Sequence, residues 1–70
     1  MSKTPEEEIA DLREKIRKLE KGIKGMLEDA AKARNRGYNK EETRLLAAAM
    51  KARGDIQLYQ RAIRRLGGTP

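Results

Sequence analysis

The feature that most constrains this chain is an apolar seam that occurs twice. Ile9, Leu12, Ile16, Leu19, Ile23, Met26, Ala30 and Ala33 follow one another in alternating steps of three and four residues, as do Leu45, Ala49, Ala52, Ile56, Tyr59, Ile63 and Leu66. Steps of that kind place every member on one stripe of an α-helix, whereas a strand would need alternation by two. A chain of 70 residues supports a single core, so each stripe has to be covered by the other. The expected fold is therefore all-α: an antiparallel two-helix coiled-coil hairpin, one domain over residues 1–70, with the option of dimerising into a four-helix bundle.

The ends of both helices carry their own signals. Thr4 suits a helix cap, Pro5 the first helical position, and Glu6, Glu7 and Glu8 the turn where the helix dipole favours acids. Helix one is expected over 5–36, followed by a loop over 37–39. Gly37 there takes the left-handed conformation, and Tyr38 folds back on Ala33 in a Schellman motif. Asn39 is read as the cap of a second helix over 40–66, with Glu41 and Glu42 in its first turn and Gly67 and Gly68 ending it. Residues 67–70 read as a frayed tail.

A loop this short fixes the register, because positions whose numbers sum to 75 then face each other. Ile9 meets Leu66, Leu12 meets Ile63, Ile16 meets Tyr59, Leu19 meets Ile56, Ile23 meets Ala52, Met26 meets Ala49 and Ala30 meets Leu45. The layers of Ile16, Leu19, Ile56 and Tyr59 are expected to be the thickest. On the flanks Glu20 faces Arg53, and the acidic start of helix one lies beside Arg61, Arg64 and Arg65.

Once these pairs are made, an apolar set is left over. Leu27, Ala31, Leu46 and Met50 fall on one edge near the loop. Alanine there can serve helix propensity alone, but leucine and methionine cannot be explained that way. Gly22 and Gly25, with Gly54, are helix-internal glycines that cost stability without returning any packing, the pattern expected where a partner presses close. These six positions, Leu27, Ala31, Leu46, Met50, Gly22 and Gly25, are the expected partner-binding residues.

Lysine and arginine outnumber acids 17 to 11, a net charge of +6. That balance raises nucleic acid as a partner, read by a basic surface of Lys15, Arg17, Lys18, Lys21, Lys24, Arg34, Arg36 and Arg44. Acids are interleaved among these residues, and both tyrosines read as structural, so no aromatic is left to stack on bases. The alternative function is accordingly a basic RNA-binding hairpin. Arg53-Gly54-Asp55 spells an adhesion tripeptide but lies inside the heptad pattern, not on a turn.

Histidine and cysteine are absent, which removes imidazole acid–base chemistry, thiolate nucleophiles, disulfides and the usual zinc ligands. The few hydroxyls have no base beside them, so the expectation is a non-enzyme with no catalytic residue, no cofactor and no metal. No apolar run reaches the length of a membrane span, and the first residues lack a signal-peptide core. The chain reads as cytoplasmic, and its partner as a protein or a second copy of itself.

The segment Leu19-Glu20-Lys21-Gly22-Ile23-Lys24-Gly25-Met26-Leu27 resembles the Ile-Lys-Glu-Gly-Ala-Glu-Asn-Leu-Leu box of the Rho-effector antiparallel coiled-coil finger family, with Gly22 and the closing apolar pair in place. Asp55-Ile56-Gln57-Leu58-Tyr59 through Leu66 looks like that family's closing segment. Ile23 stands where the family has alanine, and Lys24-Gly25 where it has Glu-Asn. The resemblance implies a hairpin that binds a small GTPase. The helix–loop–helix pattern is also similar to the assembly hairpin before many phage capsid domains, and Tyr59 to Gly67 to the end of an RNA-binding small-subunit ribosomal protein. Near-ideal heptads and well-formed caps also fit an engineered or de novo designed hairpin.

Overall fold

The structure is a computed structural model that describes residues 3–69. Two helices, α1 (Pro5–Asn35) and α2 (Asn39–Arg65), pack antiparallel into a hairpin measuring 50 × 20 × 14 Å. Thr4 caps α1 as its type and place predict: it is extended at φ −71°, ψ 158°, and its hydroxyl accepts the Glu7 N–H at 3.2 Å. Pro5 opens the helix and three acids fill the first turn.

The turn keeps the expected three residues but sits one residue earlier, at 36–38, because α1 ends at Asn35 and α2 begins at Asn39. Gly37 adopts φ 77°, which lets the Tyr38 N–H donate to the Ala33 carbonyl at 2.8 Å and the Gly37 N–H to that of Arg34 at 3.1 Å. That is the Schellman pair. Tyr38, at φ −87° and ψ 74°, then makes an inverse γ-turn in which the Asn39 N–H donates to the Gly37 carbonyl at 3.1 Å. Asn39 is therefore the first residue of α2 and not its cap. The cap position falls to Tyr38, whose side chain bonds no helix N–H. The physical reason is that the Schellman motif and the γ-turn complete the reversal by Tyr38, whose carbonyl already accepts the Glu42 N–H of the first helical turn at 3.0 Å.

Every seam position is buried or half-buried. The central cluster consists of Ile23, Ala49 and Ala52, with Leu19, Met26 and Ile56 against it, and it holds both members of three expected pairs. The largest wholly buried side chain, however, is Ile63, at 0% exposure, not a member of the layers expected to be thickest. A two-helix layer leaves its seam open on both sides, so Leu19 and Ile56 stay half-exposed. Ile63 is closed off because the chain folds over it.

That closure comes from residues 67–69, which the sequence reads as frayed. Gly67 at φ 88° builds a second Schellman motif, with Gly68 N–H donating to the Ile63 carbonyl at 3.0 Å and Gly67 N–H to that of Arg64 at 3.0 Å. Gly68 then sits so close to the seam that a Cβ added to it would lie 2.9 Å from Ile63 Cγ2 and 3.0 Å from Ile9 Cδ1. Arg13 Nη2 donates to the Thr69 carbonyl at 3.1 Å, tying the last described residue to α1. The expected fraying of Pro70 lies outside the described residues.

Truncation at the seam and outside it separates the two kinds of position. Ile63→Ala is expected to cost about 3 kcal/mol in chemical denaturation, and Leu58→Ala, on a side chain 59% exposed, under about 0.5 kcal/mol. Equal losses at the two sites would contradict the seam.

Candidate interaction face

Leu27, Ala31 and Leu46 come together on one side of the hairpin. They line a shallow concavity with Ala30, Arg34, Asn35 and Glu42. Leu27 also borders a second hollow, lined by Glu20, Ile23, Lys24, Arg53 and Ile56. The two hollows adjoin at Leu27 and are together termed the trough; their lining on α1 runs from Glu20 to Asn35, about 22 Å at the helical rise. Exposure is 37% for Leu27, 41% for Leu46 and 71% for Met50. Met50 stands one turn beyond Leu46 on α2, at the trough's rim and not in its lining.

The trough exists because the seam ends in small residues. Ala30, Ala33, Ala49 and Ala52 are all buried, so the outward neighbours of the seam are left with little beneath them. Leu27 and Leu46 directly follow the seam residues Met26 and Leu45, on the same side of both helices.

Charges bracket this apolar stretch. Glu20 and Arg53 stand at one end, Arg34 and Glu42 at the other. None of the four is ion-paired among the described residues, where the salt bridges are Lys3–Asp11 and Arg17–Glu14. The register placed Glu20 opposite Arg53, and the acids at the start of α1 beside Arg61, Arg64 and Arg65, but those cross-hairpin ion pairs are not formed. Side chains this exposed gain less from pairing than they lose in rotamer freedom.

The pairs that do form lie at the far end or on the outer surface of α1. The hydrogen bond from Lys3, and then its charge, hold the Asp11 carboxyl below the usual range. Arg17 does the same for Glu14 through a two-pronged contact at 2.6 and 3.1 Å. Both carboxyls are depressed in the folded chain, so what they contribute is present above the ordinary carboxylate range and fades as pH falls through their lowered values.

Gly22 and Gly25 are not brought to this face. Gly22, five residues before Leu27, lies on the opposite flank of α1, and neither glycine lines the trough. An added Cβ would meet nothing within 4 Å at Gly22, Gly25 or Gly54, so no contact within the chain calls for glycine there.

The basic residues are divided. Lys15 Nζ sits 5.7 Å from the Tyr59 ring centre, within cation–π range, and Arg17 is held by Glu14. Lys18 and Lys21 are exposed on α1, Lys24 and Arg34 border the trough, and Arg36 and Arg44 flank the turn. Tyr59 is half-buried as expected, but Tyr38 is not committed to the core: its side chain is 58% exposed at the hairpin tip. Sequence reasoning missed this because a Schellman motif fixes the backbone of Tyr38 and leaves its ring free.

Among the described residues no group of acids is placed to hold a metal ion, and no helix is long and apolar enough to cross a membrane. Gly22→Ala and Gly54→Ala are expected to raise stability by about 0.5–1 kcal/mol each in thermal or denaturant unfolding; a loss at either would reveal a contact that the hairpin alone does not show.

No family model matches the chain, and the curated proteins and solved structures hold no significant match to it.

Proposed function

We propose that this hairpin is a non-enzymatic protein-interaction or assembly module that works through the trough of Leu27, Ala31 and Leu46 with Met50 at its rim. The observation that carries this reading is that Leu27, Leu46 and Met50 are left uncovered together beside a seam of alanines in a chain that is 40% charged, whereas Leu58 and Tyr38, the other exposed large apolar residues, lie outside the trough. A chain with so few large apolar residues loses solubility by exposing several of them together unless a surface covers them. The partner is a second copy or a foreign protein; the Rho-effector resemblance makes a small GTPase the foreign class to test. A hairpin engineered to pair fits the same face.

The exposed Tyr38 favours a second reading. With Lys32, Arg36, Lys40 and Arg44 around the turn, it offers one stacking ring among cations, the combination that single-stranded RNA uses. Asp29 and Glu41 line the same hollow as Tyr38 and Arg36, which weakens phosphate attraction there.

Sedimentation of the chain alone and with RNA, at about 50 and 200 mM salt, separates the two, since six phosphate contacts would lose roughly 10³-fold in affinity over that interval while apolar association barely changes. The expected outcome is association that needs no RNA, resists salt and disappears in Leu46→Glu. A chain monomeric at high micromolar concentration that shifts only with RNA at low salt would overturn the proposal.

A further inference from the structure

The charges around the trough carry a self-complementary layout. On α1 the acid Glu20 and the base Arg34 lie seven residues either side of Leu27. On α2 the acid Glu42 and the base Arg53 are centred between Ala47 and Ala48. In the hairpin register, where facing numbers sum to 75, those two midpoints lie opposite one another. One two-fold axis passing across both helices at that level would therefore bring Glu20 onto Arg34 of a second copy and Glu42 onto Arg53, each twice.

We infer that the trough receives a second copy of this chain, turned end for end, so that α1 lies antiparallel on α1 and α2 on α2 in a four-helix bundle. The inference rests on the interaction reading above and names its partner. Under this operation Leu27 meets its own symmetry mate and Leu46 meets Ala49 and Met50, so apolar atoms fall on apolar atoms. Lys24 falls over Ala30 and Ala31, whose short side chains let its stem lie flat and its ammonium reach water. A two-fold axis along the hairpin would also set acids near bases, but it places Lys24 beside Arg53 of the second copy, cation against cation.

The elongated hairpin, 50 × 20 × 14 Å, has surface enough for a standard interface. The hairpin exposes 5708 Å², while a compact monomer of this mass exposes about 4,450 Å². The excess of about 1,250 Å² is larger than the roughly 800 Å² that each partner buries in a standard interface. Among the described residues none of the four bracketing charges forms an ion pair, which lets them turn to the second copy.

Two single-charge variants test the arrangement. Glu20→Arg alone sets arginine against arginine at the paired ends, and Arg34→Glu alone sets acid against acid, so each is expected to weaken its own homodimer about tenfold. Mixed in equal amounts the two variants complement each other, and native mass spectrometry should show the mixed dimer dominating over either homodimer. Circular dichroism of each variant confirms that the helices persist. Random pairing, with about half of the dimers mixed, would overturn this arrangement while leaving the interaction face in place. A wild-type chain that stays monomeric at high micromolar concentration would overturn the second copy as occupant. Failure of the interaction reading itself has a different sign, the RNA-dependent shift at low salt.

Discussion

The register in which the two seams meet governs the rest of this molecule. Three connecting residues fix it, and it places the bulky part of one seam, Ile9 to Leu19, against the bulky end of the other, Ile56 to Leu66, with Ile23 facing Ala52 and alanines gathered toward the turn. The alanines let the helices approach while filling little volume. The buried set is accordingly small: Ile23, Ala30, Ala33, Ala49, Ala52 and Ile63. A slip of one heptad would set Ile23 against a different layer and separate Leu27 from Leu46 by about 10 Å along the hairpin. The trough is thus a consequence of the register.

Glycine supplies both stops. Gly37 and Gly67 are the described residues with positive φ, and each closes a pair of Schellman bonds. Without a Cβ penalty in the left-handed region the chain can leave a helix axis within one residue. At the first stop this produces the hairpin. At the second it folds Gly68 over Ile63 and Ile9 and completes the only wholly enclosed large side chain of the described core.

The stripes, the Thr4 cap and both glycine stops were legible in the sequence because each is a local pattern with a local cause. The position of Asn39 was not, since whether a polar residue caps a helix or begins it depends on where the preceding turn completes its reversal. Nor was the seating of Gly68 and Thr69, because the contacts that hold them come from Ile9 and Arg13, more than fifty residues earlier. Of the candidate site, Leu27, Ala31 and Leu46 could be placed together from heptad arithmetic. Met50 fell at the rim, and Gly22 and Gly25 lie away from the trough, Gly22 on the opposite flank where the helical period already puts it; a helix-internal glycine signals that something is unusual without saying what. The charges were legible as neighbours and not as pairs: Glu20 and Arg53 face each other without bonding, since exposed side chains prefer water.

The central claim is that the uncovered leucines beside the alanine seam are the working surface and that the remaining exposed apolar residues are not. Methyl NMR on dilution from about millimolar to low micromolar concentration, where a contact of modest affinity dissociates, tests it most directly. The account predicts concentration-dependent shifts for the methyls of Leu27, Leu46 and Met50, with Leu58, equally apolar but outside the trough, unchanged as the internal control. Shifts at Leu58 as large as those at Leu46, or none at Leu27 and Leu46 across the whole range, would contradict it.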